Sequence, residues 1–342
     1  MAFRIFNRHR KKLLAVHCPH QQKLVCICIL ESVAVKRVYF SCAFLSSRAS
    51  VFRQALLREN DKNTPKRNTG YGELTMSYKT VTYSKEASFL APEEANIGVI
   101  TLNRPDALNA LNAELVTELN TLLDEVAKDE KIRVIVITGA GRAFSVGADL
   151  MEAQKLDPSA VKGFIESGQR LFDKIENLEK PVIAALNGFT LGGGVELAMA
   201  CDLRIASEAA RIGSPEVAVG LIPAWGGTVR MPKIMGRGKA TELILTGGQI
   251  DAKEAERIGL VNKTVPADEL NSTVMWTAGT IASRAPIAVR HAKKILAKAM
   301  EMSIEEGNRQ MLEACLICYK SEDIQEGVKS VFEKRAAQFK GK

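Results

Sequence analysis

Histidine is the scarcest residue with acid–base or metal-binding capacity in this chain. There are four among 342 residues, and only His291 lies beyond residue 76. It stands in the run Arg290-His291-Ala292-Lys293-Lys294, which reads as a solvated basic helix face. A Ser–His–Asp triad and a His-rich metal site are therefore excluded from the body of the chain. Long apolar runs are missing too: none approaches the roughly 20 residues needed to span a bilayer. Cysteine is sparse and odd in number, seven in all, which is not the framework of a disulfide-stapled secreted domain. Cys315-x-x-Cys318 has no second pair to complete a zinc site, and is expected to pack on an apolar helix face.

Acidic residues are missing from one end. Residues 1–58 hold a single one, Glu31. Residues 1–76 hold 14 Lys and Arg against 4 Asp and Glu, a net of +10. The remainder holds 33 basic against 35 acidic residues, so the +8 of the whole chain belongs to its N-terminal part. A nearly neutral body argues against nucleic acid as its partner. An Arg-rich, acid-poor leader resembles a mitochondrial presequence, and the mitochondrial matrix is the expected location, with peroxisome and cytosol as alternatives. A disordered extension, or upstream sequence wrongly joined to a protein that begins at Met76, are the competing readings. The end Lys340-Gly341-Lys342 is not a peroxisomal signal of the Ser-Lys-Leu type. The expected organisation is a basic extension over 1–75 with a linker at 60–70, an alternating core over 76–270 and a helical region over 271–342.

What the body does contain is regular. Residues 80–83 and 99–102 read as strands with a turn around Pro92. Leu115, Leu119, Leu122, Leu123 and Val126 mark one face of a helix over 113–127. Residues 134–137 are all β-branched and apolar, as in a strand buried on both faces. Ile165, Leu171, Phe172, Ile175 and Leu178 give a second helix over 159–178, which Pro181 stops. Strands at 182–186, 203–206 and 261–265, with helical segments at 238–246 and 252–258, complete the pattern. Repeated strand–helix alternation indicates an α/β fold with a largely parallel core.

The chain turns on residues 187–202, NGFTLGGGVELAMACD. An apolar strand leads into Gly192, Gly193 and Gly194, and a helix-favouring run follows at once. Such a turn gathers bare backbone N–H groups at a helix N-terminus, a place suited to an anion or a developing oxyanion. A tight turn with a solvated glutamate is the plainer reading of the same residues. The dinucleotide fingerprint fails twice: Leu197 and Phe144 stand where its third glycine belongs.

With one histidine in the body, any proton transfer falls to carboxylates. Glu196 follows the glycine triplet. Glu216 follows Pro215 in the loop GSPEVAVGLIPAWGGT. Both sit beside Gly and Pro, where a rigid scaffold presents functional groups.

Six stretches carry a resemblance over the whole body, in order: LNRPDALNAL, FSVGADL, NGFTLGGGVELAMACD, GSPEVAVGLIPAWGGT, ILTGGQIDAKEAERIGLVNKTV and FEKRAAQF. Together they resemble the enoyl-CoA hydratase/isomerase (crotonase) superfamily, in particular its hydratase-type members. The resemblance implies an α/β spiral of ββα units of the ClpP-like kind. It also implies C-terminal helices that build a homotrimer or a dimer of trimers. The implied substrate is an acyl-CoA thioester, with no metal and no other cofactor. Backbone N–H groups of Val146 and Gly193 are expected to bind the thioester oxygen; the family usually has alanine where Val146 stands. Glu196 is expected to activate the water that attacks Cβ, and Glu216 to deliver the proton to Cα. The loop at Asp106, Ala107 and Leu108 is expected to contact coenzyme A, as is the stretch Val146, Gly147, Ala148 and Asp149. Lys334 is expected near the coenzyme A phosphate. Hydration of a trans-2-enoyl-CoA is the implied reaction. Double-bond isomerisation or a specialised acyl-CoA reaction is the alternative, and a non-enzymatic RNA-binding member is a third reading.

Overall fold

In a computed structural model the chain divides into two units, Met1–Leu74 and Thr75–Lys342. The structure describes residues 78–342 except residue 90, without the side chains of residues 91–93, and the backbone of three N-terminal strands. Those strands, β1 (Ala2–Arg8), β2 (Lys11–His17) and β3 (Cys26–Glu31), pair antiparallel in that order. The expected linker at 60–70 and the expected start at Met76 lie outside the described residues.

The second unit is built on two sheets. The larger contains β4 (Val81–Ser88), β5 (Ala91–Leu102), β6 (Val134–Gly139), β8 (Val182–Leu186), β10 (Leu203–Ser207) and β13 (Lys263–Val265). Its order is β13-β10-β8-β6-β5-β4, and all neighbours are parallel except β4 and β5. The smaller sheet contains four strands of three residues: β7 (Ala143–Ser145), β9 (Phe189–Leu191), β11 (Arg211–Gly213) and β12 (Gln249–Asp251). Its order is β12-β11-β9-β7, with β11, β9 and β7 parallel.

The two sheets repeat one unit. A strand of the large sheet runs into a short strand of the small sheet, and a helical segment follows. The first unit is β6, β7 and α2 (Pro158–Asn177). The second is β8, β9 and α3 (Gly193–Ala200). The third is β10 and β11 with the 3-10 turn Pro215–Val219. Helix α1 (Ala113–Lys128) precedes them, with Asn112 capping its N-terminus through the Leu115 N–H at 3.0 Å. Helices α4 (Gly227–Met235), α5 (Arg237–Thr246) and α6 (Ala252–Arg257) follow.

Burial on both faces of the large sheet explains its continuous apolar strands. Ile135, Ile137, Val182, Ala184 and Leu186 enter one core cluster with α1, α2 and α3. Val134, Val136, Ile183 and Ala185 face the other way, against Leu270, Val274, Ala278 and Ala282 of α7 (Leu270–Ala282). Each such Leu or Val contributes about 1.5–3 kcal/mol relative to exposure. Helix α7, the first of the C-terminal helices, is thus part of the sheet's packing. The remaining helices are α8 (Pro286–Leu296), α9 (Ile304–Lys320) and α10 (Glu322–Glu333).

Other expectations also change. Pro92 lies inside β5 rather than in a turn. Its stretch pairs only with the edge strand β4, where the register shifts and a missing N–H is tolerated. Cys315 is exposed, so of the pair only the partly covered Cys318 meets apolar side chains, in a cleft with Ile287, Ala288 and Val328. Helix α4 falls where a loop reading ended, because Pro232 inside it masks the helical pattern.

Candidate active site

The small sheet decides where the chemistry lies. Strands β7, β9 and β11 are parallel neighbours, so the residues that follow them emerge at one edge. After β7 comes Val146, after β9 come Gly192 and Gly193, and after β11 come Ser214 and Glu216. Neighbouring strands lie about 4.8 Å apart, so three loops distant in sequence meet there.

Gly193 opens α3, where the first N–H groups have no intrahelical acceptor. Gly147 packs against it. A Cβ on Gly147 would fall 2.6 Å from Gly193 N, and its φ of 90° is itself one that favours glycine. Gly192 bends the chain into the helix with φ 54°. These close approaches explain why glycine occupies both positions.

Every residue of α3 is buried, and Glu196 is its single ionisable side chain. The residue is 2% exposed. Its Oε1 accepts from the Trp225 N–H at 2.8 Å and the Gly227 N–H at 2.7 Å, which leaves Oε2 available. Burial pushes the Glu196 carboxyl up to about 7, and the nearby Glu216 charge adds to the rise. The two N–H bonds and Arg230 act in the opposite direction.

Glu216 begins the 3-10 turn after β11. The Ser214 hydroxyl donates to its Oε2 at 2.7 Å. Its Oε1 is buried and has no hydrogen-bond partner in the protein. A buried acceptor is nearly always satisfied, so this oxygen is suited to a proton carried by substrate or water.

The profile of the Enoyl-CoA hydratase/isomerase family matches residues 92–342. The chain belongs to this family. It is 42% identical over 244 residues to the short-chain-enoyl-CoA hydratase of Clostridium acetobutylicum, covering 71% of this chain and 94% of that protein. It is 41% identical over 253 residues to the crotonyl-CoA hydratase of Syntrophomonas wolfei, covering 74% and 97%. The crystal structure of an enoyl-CoA hydratase from Bacillus anthracis superimposes with a TM-score of 0.74 at 36% identity, over 77% of this chain and all of that one. A relative from Dictyostelium discoideum, 39% identical over 251 residues and matched over 73% of this chain and 90% of its own, carries a mitochondrial enoyl-CoA hydratase name. The fold expected from the six motifs, an α/β crotonase spiral, is therefore the fold of this chain.

Family membership does not fix each residue's part, and three expected site residues differ in setting. The Val146 N–H, expected to bind the thioester oxygen, donates to the Leu108 carbonyl at 3.2 Å. Leu108 is held in the left-handed region, φ 52°, and a ligand oxygen at Val146 would share or replace that carbonyl. The Asp149 carboxylate is already engaged: it pairs with Arg104 at 2.9 Å and caps the turn Leu150–Ala153 through the Glu152 N–H. Its side chain ties the Asp106 loop to the Val146 loop. Lys334 is exposed at the C-cap of α10 with φ 53°, and its backbone N–H donates to the Ser330 and Val331 carbonyls.

The expected loop is otherwise well defined. Pro105–Ala107 forms a 3-10 turn with Asp106 exposed and Ala107 and Leu108 half-buried. Ala148 bridges Leu111. Asn109, overlooked in the sequence, joins these pieces. It is fully buried in the left-handed region, a conformation Asn tolerates. Its amide donates to the Ala140 and Ala143 carbonyls and accepts from the Arg104 N–H. Ser214, two residues before Glu216, was the other legible omission, because a hydroxyl at that spacing commonly bonds a neighbour. No group of His, Cys, Asp and Glu suited to a metal occurs among the described residues.

Proposed function

We propose that the chain is an enoyl-CoA hydratase that adds water across the trans-2 double bond of an enoyl-CoA to give (3S)-3-hydroxyacyl-CoA. The observation that carries this reading is the pairing of Glu196, half-ionised near neutrality, with a Glu216 oxygen that has no protein partner. A base whose pKa lies near the working pH transfers protons most effectively.

In the reaction, Glu196 takes a proton from water as its oxygen bonds to Cβ. The π electrons move to the thioester oxygen, where the N–H groups of Gly193 and Val146 stabilise the enolate. The two neighbouring carboxylates share one proton, and with Glu196 ionised it resides on Glu216, which gives it to Cα. The proton held by Glu196 then returns to Glu216 through the next water, so one water is consumed per turnover. The carboxylates move the protons and the backbone stabilises the oxyanion, and coenzyme A enters only as part of the substrate. The paired glutamates favour hydration over isomerisation, which needs only one acid–base group.

A short acyl group suits the site. The Trp225 indole lies against Gly193, where a Cβ would meet its ring at 2.6 Å. Phe164 and Phe172 hold that ring edge-on at 5.2 and 5.6 Å. Two relatives also carry short-chain names. Apolar side chains on the last helices, including Leu316, Val328, Val331 and Phe332, are exposed in the single chain. That exposure supports a homotrimer or dimer of trimers. The basic N-terminal residues and the Dictyostelium relative support the mitochondrial matrix, whereas the bacterial relatives count against it.

A spectrophotometric assay with crotonyl-CoA and longer enoyl-CoAs tests the reading. The conjugated absorbance should fall fastest with the four-carbon substrate. No loss of absorbance at any chain length overturns it.

A further inference from the structure

Arg230 is a buried cation that the reaction above does not use. It lies in the first turn of α4 and is 8% exposed. Nε and Nη2 donate to Glu176 Oε2 at 3.0 and 2.7 Å, and Nη2 also donates to Asp173 Oδ1 at 2.7 Å. Both acids lie three residues apart on one face of α2. The remaining arm, Nη1, donates to the Trp225 carbonyl at 3.0 Å.

That carbonyl belongs to the turn that holds Glu196. The Trp225 and Gly227 N–H groups bind Glu196 Oε1 on one side of the turn, and Arg230 binds its carbonyl on the other. Between them is Gly226, with φ 107°. A Cβ there would fall 2.0 Å from Arg230 Nη1, so the guanidinium lies against bare backbone. The turn is fixed from both sides, and its outer anchor is a fork of charged hydrogen bonds to α2.

We infer that Arg230 is a positioning residue for hydration: it anchors the 225–227 turn so that the turn's two N–H groups hold Glu196 in place and its positive charge favours the ionised carboxylate. This rests on Glu196 being the base of the proposed reaction. The charged groups involved are few. Asp173 and Glu176 face Arg230 from α2, and Glu216 faces Glu196 from the turn after β11. Removing the guanidinium takes away the cation and leaves the two α2 acids unpaired. Both changes disfavour the ionised base, so activity in the variant should need a higher pH. Arg230→Lys keeps a charge but loses the three-way fork, so it should loosen the turn with little effect on the protonation of Glu196.

The test is the pH dependence of crotonyl-CoA hydration by the full chain, comparing the wild type with Arg230→Gln and Arg230→Lys. Circular dichroism and assembly state establish the folded fraction of each. Arg230→Gln should move the acidic limb of the kcat profile to higher pH, with KM changed less than about twofold. Its kcat near neutrality should fall about ten- to a hundred-fold and recover in part at higher pH. Arg230→Lys should lose several-fold in kcat per folded site with the limb in place. A folded Arg230→Gln whose limb does not move overturns the inference, whatever its kcat. If Arg230→Gln does not fold, Arg230→Lys decides: a wild-type kcat per folded site overturns the inference. A wild type without hydratase activity sinks the functional reading instead, so the two failures are distinguishable.

Discussion

Glu216 Oε1 lies 3.3 Å from the point that a Cβ would occupy on Gly192, the residue just before Gly193. The acid oxygen and the start of α3 are separated by less than one methyl group. In the proposed reaction, proton delivery to Cα and stabilisation of the thioester oxygen act one bond to either side of the same carbonyl carbon. This closeness is built by the pairing of β9 with β11, which also ties the Gly192 N–H to the Gly213 carbonyl at 2.9 Å.

The first prediction follows from that shared substrate. Glu196→Gln and Glu216→Gln should each lower kcat by at least about 100-fold. The double variant should lose much less than the product of the two, because both groups serve one addition step on one substrate. Steady-state kinetics with crotonyl-CoA measures this. Near-normal turnover in either single variant refutes the paired-carboxylate mechanism.

A second prediction concerns stability. Glu196 ionises at about 7 when folded against an ordinary 4.5, because burial disfavours its charge. Between those values the folded chain holds a proton that the unfolded chain has released. Its contribution to stability is therefore complete below about 4.5 and is lost as the pH rises through about 7. Glu196→Gln removes this dependence and keeps an oxygen for the two N–H donors. The variant should gain on the wild type as pH rises from 4.5, levelling off above 7 at a difference of order 3 kcal/mol. Urea unfolding of both proteins at several pH values checks it. A difference independent of pH shows that Glu196 is not displaced from its ordinary ionisation.

The third prediction addresses the oxyanion donors. Gly147→Ala places a Cβ about 2.6 Å from Gly193 N and strains a φ of 90°. It should reduce kcat by about 100-fold or more, comparable to losing one oxyanion donor. Retained circular dichroism with lost turnover is the expected result. Wild-type kcat would place the thioester oxygen elsewhere.

The positions of the long elements could be read before the structure. Val134–Gly139 and Val182–Leu186 are continuous apolar runs because both faces of the large sheet are covered. Helices α1 and α2 are clear for the opposite reason: each buries only one stripe. The four short strands were not legible. Three residues are too few to establish a period of two, and Phe189–Leu191 shows only one fully buried position.

The sequence by itself determined the family and the strand–glycine–helix turn at Gly193, and it singled out Glu196 and Glu216 as candidates in a body with one histidine. These are local facts, set by residue type and spacing within a few positions. Only the tertiary structure decided that Glu196 is buried and raised toward neutrality, that Glu216 keeps an unpartnered oxygen, and that Arg230 stands behind the 225–227 turn. It also decided that the Val146 N–H meets the Leu108 carbonyl and that Asp149 is bound to Arg104. Each of these contacts joins segments distant in the chain or depends on dielectric surroundings, and both arise only when the strands pair and the core excludes water.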